Sequence, residues 1–195
     1  MAGMQRENGP KLDRARLVAA AFAVIEDKGL DGLSMRNVAA RLGVQAPAIY
    51  WHISDKAELL GLMAREIYGG AYDSIPRTGS WQQWLIRFGR ALRQAFASRR
   101  DGARLCALAQ PSPQADPARR AERIAAPLVA LGLDRRTAVS RQAAVIAYTL
   151  GWAMYEANGP MREYLDEMMI FEDSFQAGLA ALVDGFARSD AAGGA

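Results

Sequence analysis

Residues 34–56 read SMRNVAARLGVQAPAIYWHISDK, and their spacing decides the fold. Met35, Val38, Ala39 and Leu42 recur at steps of three, one and three, the inward face of a short amphipathic helix. Ser34 stands where an N-cap oxygen is needed. Gly43 supplies the left-handed residue that ends the helix and turns the chain. A second, shorter helix carries Pro47 in its first turn, where a missing N–H costs little. It keeps Ile49 inward and offers Gln45, Ala46, Ala48, Tyr50, Trp51 and His52 outward. Two such helices meeting at a glycine turn make a helix-turn-helix, whose second helix enters the DNA major groove. An amide suits adenine and small apolar groups suit the thymine methyl. Tyr50, His52 and Lys56 suit phosphate oxygens. An ordinary helical hairpin with a polar outer face fits the spacing too. The outward aromatic run Tyr50-Trp51-His52 is what favours DNA, because exposed aromatics need a reason.

The flanks support this head. Residues 12–28 read as a first helix with Val18, Ala21, Phe22 and Ile25 on one stripe, closed by Lys28 and Gly29. Leu30 and Leu33 complete its core. Residues 1–11 are polar, broken by Gly9-Pro10, and are expected as a mobile arm. Arg6, Lys11, Arg14 and Arg16 reach phosphates or form a solvated basic tail; the residues fit both. Residues 55–72 read as the helix leaving the head. Asp55 is its N-cap, with Glu58 in capping-box position. Leu59, Leu60, Leu62, Met63 and Ile67 are too many for one stripe, so this helix touches both the head and the rest of the chain. Gly69-Gly70 and then the segment 75–80 are expected to end it.

Residues 12–68 resemble the DNA-binding domain of the tetracycline-repressor family. The run LSMRNVAARLGVQAPAIYWHISDKAELL, 33–60, carries the family signature, and YWH followed by a lysine is similar to the tetracycline repressors proper. The DNA-facing set is then Met35, Arg36, Gln45, Ala46, Pro47, Ala48, Tyr50, Trp51, His52 and Lys56, with Arg36 matching a base-reading position. Ala46 and Ala48 stand where those repressors carry polar residues, so a different operator is expected. By resemblance, helix 55–72 is the connecting helix whose tilt sets the spacing of two reading heads.

Beyond it, Ser80 caps a helix over 80–98 with Trp81, Leu85, Phe88, Leu92 and Phe96 on one stripe and Trp84 beside it. Arg87, Arg90, Arg93, Arg99 and Arg100 read as a solvated face. A short helix and a Pro-rich loop fill 99–117. Ser80-Trp81 and Arg100 to Ala103 are similar to the ligand-binding domain of tetracycline repressors, which extends the resemblance to about Pro160. A helix over 118–131 is kinked by Pro127. Asp134 caps a long helix to Ala157, with Val139, Ala143, Ile146, Leu150 and Met154 as its stripe. Asn158-Gly159-Pro160 reads as a stop, 161–169 as an acidic linker, 171–187 as a last helix, and 189–195 as a disordered tail. The helices at about 134–157 and 171–187 are rich in small residues and are expected to pair with their copies in a homodimer.

The expected fold class is thus all-α, a three-helix helix-turn-helix domain (12–54), the connecting helix (55–72), and a helical bundle for ligand binding and dimerisation (73–188). Composition agrees: 195 residues, 51% hydrophobic and 23% charged, describe an ordinary globular chain. No apolar run approaches the ~18 residues of a membrane span. The first residues lack the apolar region of a secretory signal, and one cysteine agrees with a reducing cytoplasm. Charge is uneven. Residues 1–56 hold 8 Lys/Arg and 6 Asp/Glu, 57–155 hold 14 and 7, and 156–195 hold 2 and 8. The reading head is only mildly basic, so sequence-independent attraction to DNA is modest, and the acidic end belongs far from DNA.

An enzyme reading has little to stand on. The one histidine, His52, lies on the DNA face, and the one cysteine, Cys106, lies far along the chain. No glycine-rich phosphate loop and no metal-ligand spacing is present, so no catalytic residue, metal or cofactor is implied. A ligand-responsive regulator explains the bulky middle of the chain, Tyr68, Tyr72, Trp84, Leu105 and Met154 among it. Mapping the family's drug pocket by position gives Tyr72, Phe88, Leu92, Cys106, Ala109, Gln110, Pro111, Ile124 and Tyr155. The departures matter. Cys106 replaces the histidine that holds the drug's magnesium ion, Gln110 replaces an arginine and Tyr72 a histidine. A magnesium–tetracycline chelate is therefore expected to bind poorly, and a larger, more apolar or aromatic effector is expected instead. The partners expected are an operator duplex, that effector and a second copy of the chain. Repression is the family default; an activator, or a helical small-molecule carrier, remains open at this point.

Overall fold

Asp13 accepts the Arg16 N–H at 2.8 Å and starts α1 (Arg14–Lys28), the first of ten α-helices in a computed structural model that describes residues 12–112 and 115–193. The expected arm at 1–11 lies outside the described residues. A 3-10 turn (Leu30–Gly32) leads to α2 (Met35–Leu42), α3 (Ala46–Ile49) and α4 (Lys56–Asp73). Leu17, Ala21, Phe22 and Ile25 close with Leu33, Val38, Ile49, Ile53 and Leu59 into the core of the head. Helix α4 carries that core on into the rest of the chain, burying Met63, Ile67 and Ala71 further along. Gly69-Gly70 do not end it. It runs on to Asp73, because a helix already packed on two sides tolerates the ~1 kcal/mol that each glycine costs.

The remaining helices are α5 (Trp81–Ala97), α6 (Gly102–Leu108), α7 (Pro117–Ala130), α8 (Arg135–Ala157), α9 (Gly159–Asp166) and α10 (Phe171–Gly193). Ser80 and Gln83 form a complete capping box at α5. Helix α5 is the central pillar, packed on α4, α8 and α10. Trp84, which reads from spacing as a side feature, is fully buried; it stacks on Phe88 at 5.2 Å with Tyr72 edge-on at 5.5 Å.

Three expectations are corrected. Asn158-Gly159-Pro160 stops α8, but Asn158 also caps α9 through the Met161 N–H, so most of the expected linker is helix. Helix α10 extends past 187 to Gly193, since Asp190 pairs with the buried Arg141 guanidinium and gives the end a partner; residues 194–195 lie outside the described residues. On α8 the stripe Val139, Ala143, Ile146, Leu150 and Met154, on a helix expected to pair with its copy, faces away from the monomer's core. The monomer buries Ala138, Arg141, Gln142, Val145, Thr149 and Ala153 instead, and leaves the apolar stripe half-buried or exposed. Finally, the arginines of α5 and of the turn after it are largely engaged. Arg93 bridges Glu156 at 3.0 Å and Glu172 at 2.6 Å while lying 4.4 Å over the Phe175 ring. Arg90 bonds Gln176, and Arg99 covers Phe22 of the head.

Candidate DNA interface and effector cavity

The turn between α2 and α3 is built locally. Ser34 accepts the Asn37 N–H, and Gly43 (φ 67°, ψ 28°) closes α2 with the Gly43 N–H on Ala40 and the Val44 N–H on Ala39. That double closure needs the left-handed residue which glycine adopts without a Cβ penalty. Helix α3 is one turn long. Tyr50 caps it, and Trp51 and His52 belong to the next turn of the chain. Tyr50 is 53% and Trp51 87% exposed, while Gln45 and Pro47 are exposed and Ala48 and His52 half-buried. Arg36 is exposed and unpaired among the described residues, and Lys56 is exposed at the first residue of α4. Met35, which the spacing places on the inward face and only the resemblance among the DNA-facing residues, packs in part against the core of the head, and so does Ala46, which the spacing placed outward.

Arg14 locks this surface from behind. Its Nε donates to the His52 carbonyl at 3.0 Å and its Nη2 to Glu58 at 3.0 Å. Glu58 does not complete a capping box with Asp55. It accepts the N–H of Ser54, one residue earlier, at 2.7 Å, which with Arg14 holds its carboxyl below the usual range. Asp55 still accepts the Glu58 N–H at 2.8 Å. The end of the recognition turn and the start of α4 are therefore tied together.

Behind Arg14 a cavity of about 710 Å³ opens between α4, α6 and α7. Cys106, Ala109, Gln110, Pro111 and Ile124 line it, as the position map expects. Tyr72, Phe88, Leu92 and Tyr155 do not. Phe88 and Leu92 are buried in the core, and Tyr155 is 51% exposed on α8. The Tyr72 hydroxyl donates to the carbonyl of Ile124 at 2.6 Å and lies 3.1 Å from that of Arg123, which Pro127 leaves without its helical donor. Tyr72 thus anchors the cavity wall from outside. Tyr68, one of the bulky residues read as ligand-holding, lines it too, and the unforeseen lining residues are Arg14, Glu58, Leu62, Arg65 and Arg120. Gly61 permits the tight approach of α4 to the loop after α6; a Cβ there would lie 2.9 Å from the Gln110 carbonyl.

A second contact joins the two parts. Asp101, at the turn into α6, adopts φ 56° and accepts the Leu30 N–H at 2.7 Å. Arg104 holds Asp31 with two bonds of 2.7 and 3.0 Å, and Arg100 donates to the Glu26 carbonyl at 2.8 Å. The short helix that lines the cavity is thereby pinned to the corner of the head below α1.

Comparison with known proteins gives this geometry its relatives. The model of bacterial regulatory proteins of the tetR family matches residues 17–63, and that of the tetracyclin repressor-like C-terminal domain matches residues 75–168. The tetracycline repressor protein class A from transposon 1721 of Escherichia coli is 32% identical over 91% of this chain and 92% of its own. The chain belongs to the tetracycline-repressor family. It is a DNA-binding transcriptional regulator and not an enzyme. Among solved structures it is similar to a variant of TetR from Acinetobacter baumannii AYE in complex with minocycline (TM-score 0.74, 32% identity, 91% of this chain and 98% of that one). It is also similar to BioQ with its double-stranded DNA operator (TM-score 0.69, 31% identity, 91% and 99%). No helix among the described residues is long and apolar enough to cross a membrane.

In this TetR-family regulator Cys106 is buried beside Tyr68, and burial pushes its thiol up from 9.0 to about 12. A raised value favours the neutral thiol, so this contribution to stability is complete below pH 9 and is lost as pH rises toward 12. At pH 8 the folded protein should react with Ellman's reagent at least about a hundredfold more slowly than the urea-unfolded chain. Equal rates would show that Cys106 is an accessible thiol rather than part of the cavity wall.

Proposed function

We propose that this protein is a cytoplasmic homodimeric repressor that binds a palindromic operator and is released by a small apolar or aromatic effector. The observation that carries the reading is the path of α4. Its first residues are tied to the recognition turn by Arg14 and Glu58, and its Gly61–Tyr68 stretch lines the cavity. An occupant of that cavity acts on the same rigid element that sets the height of the reading head. The pinned contact of α6 to Leu30 and Asp31 supplies a second path. Coupling through them needs only ~1–3 kcal/mol to lower operator occupancy several-fold. The relatives found with minocycline and with operator DNA are consistent with both halves of the reading.

The outward apolar stripe of α8 supports the dimer, with its partner helix α10 beside it. Two heads about one DNA turn apart, roughly 34–36 Å, then meet successive major grooves. The neutral buried thiol at Cys106 and the amide at Gln110 argue for an effector held without magnesium. Selection of duplexes from a random DNA pool at about 150 mM salt, where non-specific attraction is weak, tests the reading. Enrichment of an inverted repeat is the expected result, and no enrichment by folded dimer would overturn it.

Two substitutions separate reading from positioning. Arg36→Ala should relax discrimination at one operator position, at a cost of ~1–3 kcal/mol there. Lys56→Ala should weaken all duplexes alike and flatten the salt slope by about one. Gel-shift titrations over several salt concentrations on matched and singly altered operators distinguish them. Identical behaviour of the two variants would sink the assignment.

A further inference from the structure

The charges on the cavity wall do not balance. Four ionisable side chains other than Tyr68 and Cys106 line it: Arg14, Glu58, Arg65 and Arg120. Glu58 is consumed by the Ser54 N–H and Arg14, and Arg14 by Glu58 and the His52 carbonyl. Arg65 and Arg120 have no ion pair or hydrogen-bond partner for their guanidinium groups among the described residues. Arg120 is half-buried on α7, close enough to the Tyr68 hydroxyl to act on it electrostatically. A guanidinium drawn partly out of water without a counter-charge is costly, and an anion beside it offsets that cost. Arg120 on α7, half-buried, and Arg65 on α4, more exposed, thus line without an opposing acid among the described residues a space whose remaining wall is largely apolar, through Leu62, Ala121, Ile124 and Val139. A volume of about 710 Å³ accepts a ligand of two or three rings.

Resting on the effector reading above, we infer that the effector is an acid: an aromatic body carrying a carboxylate-like anion, with Arg65 and Arg120 holding the anion and the apolar wall holding the rings. The anion joins α4 to α7 across the cavity, so binding draws the connecting helix toward the ligand domain. Arginine suits this role because its planar fork meets a carboxylate or sulfonate with paired bonds.

The test uses two fluorescent probes of similar shape and different charge, anilinonaphthalene sulfonate and neutral N-phenylnaphthylamine, titrated into the full-length dimer. The anionic probe should bind at least about tenfold more tightly. Arg65→Gln with Arg120→Gln should erase that preference and leave the neutral probe within about twofold. Ala121→Trp, or Ala109→Trp should the first not fold by circular dichroism, should block both probes by filling the space. Equal affinities in the parent protein, with both probes blocked by the tryptophan, would overturn the acidic effector and leave the effector cavity standing. An anion preference that survives the double glutamine change, or that the tryptophan does not block, arises elsewhere and would overturn it too. Binding of neither probe would remove both the charge inference and the cavity reading beneath it.

Discussion

Gly151→Arg should convert the protein to a folded monomer and lower operator affinity about a hundredfold or more. Gly151 lies exposed on α8, one turn from Ala147 and two from Ala143, and a Cβ built on it meets nothing within 4 Å. Within one chain the glycine is therefore a loss, since arginine favours a helix over glycine by nearly 1 kcal/mol. Its place is explained if another helix must pass closely over this face, and helices in contact run only about 8–10 Å apart. An arginine there keeps α8 helical and holds a second α8 away. A lone head then reads one half-site, and most of the gain over non-specific binding, typically 10³–10⁷ for a specific complex, is forfeited. Light scattering after size exclusion reads the mass, circular dichroism the helix content, and a gel shift the affinity. A Gly151→Arg protein that remains a dimer would place the interface on another face. Gly185→Arg on α10, also open around its Cα, tests whether that helix takes part in the interface.

What was legible from sequence is what local chemistry decides. The run Ser34, Asn37, Gly43 and Val44 makes its own cap and turn within a short stretch, and the structure builds it as spacing predicts. The caps Asp55, Ser80 and Asp134 are likewise local and all present. Asn158-Gly159-Pro160 misleads because the same residues that stop one helix start another: Asn caps and proline favours a first turn. The faces of the long helices were harder. On α8, Arg141 is buried against Trp81 at 4.3 Å and Gln142 against the Ile124 carbonyl at 2.7 Å, partners remote in sequence that no periodicity reveals. The cavity shows the same limit. Tyr68 and Tyr72 share a face of α4, about one 5.4 Å turn apart. Whether one or the other lines the space depends on where α7 lands, and α7 lands on Tyr72. The space therefore sits nearer the head, where Tyr68, Arg65 and Gly61 meet it. Arg93 and Arg100 read as solvated because their partners Glu156, Glu172 and Glu26 are remote in sequence.

Trp84→Ala should cost about 3–5 kcal/mol, the largest single loss of stability in the ligand domain. The indole is fully buried, stacked on Phe88 with ring planes 19° apart, and met edge-on by Tyr72 at 75°. Truncation removes the ring that both neighbours pack against and leaves a hole that the packed helices around it cannot close. Against a total of ~5–15 kcal/mol for a typical domain, that is enough to unfold a marginal one. Trp84→Phe should behave differently. The indole Nε1 has no hydrogen-bond partner among the described residues, so the larger ring carries an unsatisfied buried donor worth ~1–3 kcal/mol. Phenylalanine forfeits some volume but also removes that penalty, and the net cost should stay below about 1.5 kcal/mol. Urea titrations followed by circular dichroism compare the three proteins. A small loss for Trp84→Ala would mean that the aromatic cluster does not support the fold. A large loss for Trp84→Phe would mean that the indole N–H makes a stabilising bond. The contrast also bears on function. Trp84 and Phe88 hold the Tyr72 ring, and the Tyr72 hydroxyl holds the wall of α7 at Ile124. In Trp84→Phe that chain of contacts persists, so effector response should survive. Trp84→Ala loosens it, and the cavity should lose its selectivity even at temperatures where the protein is still folded.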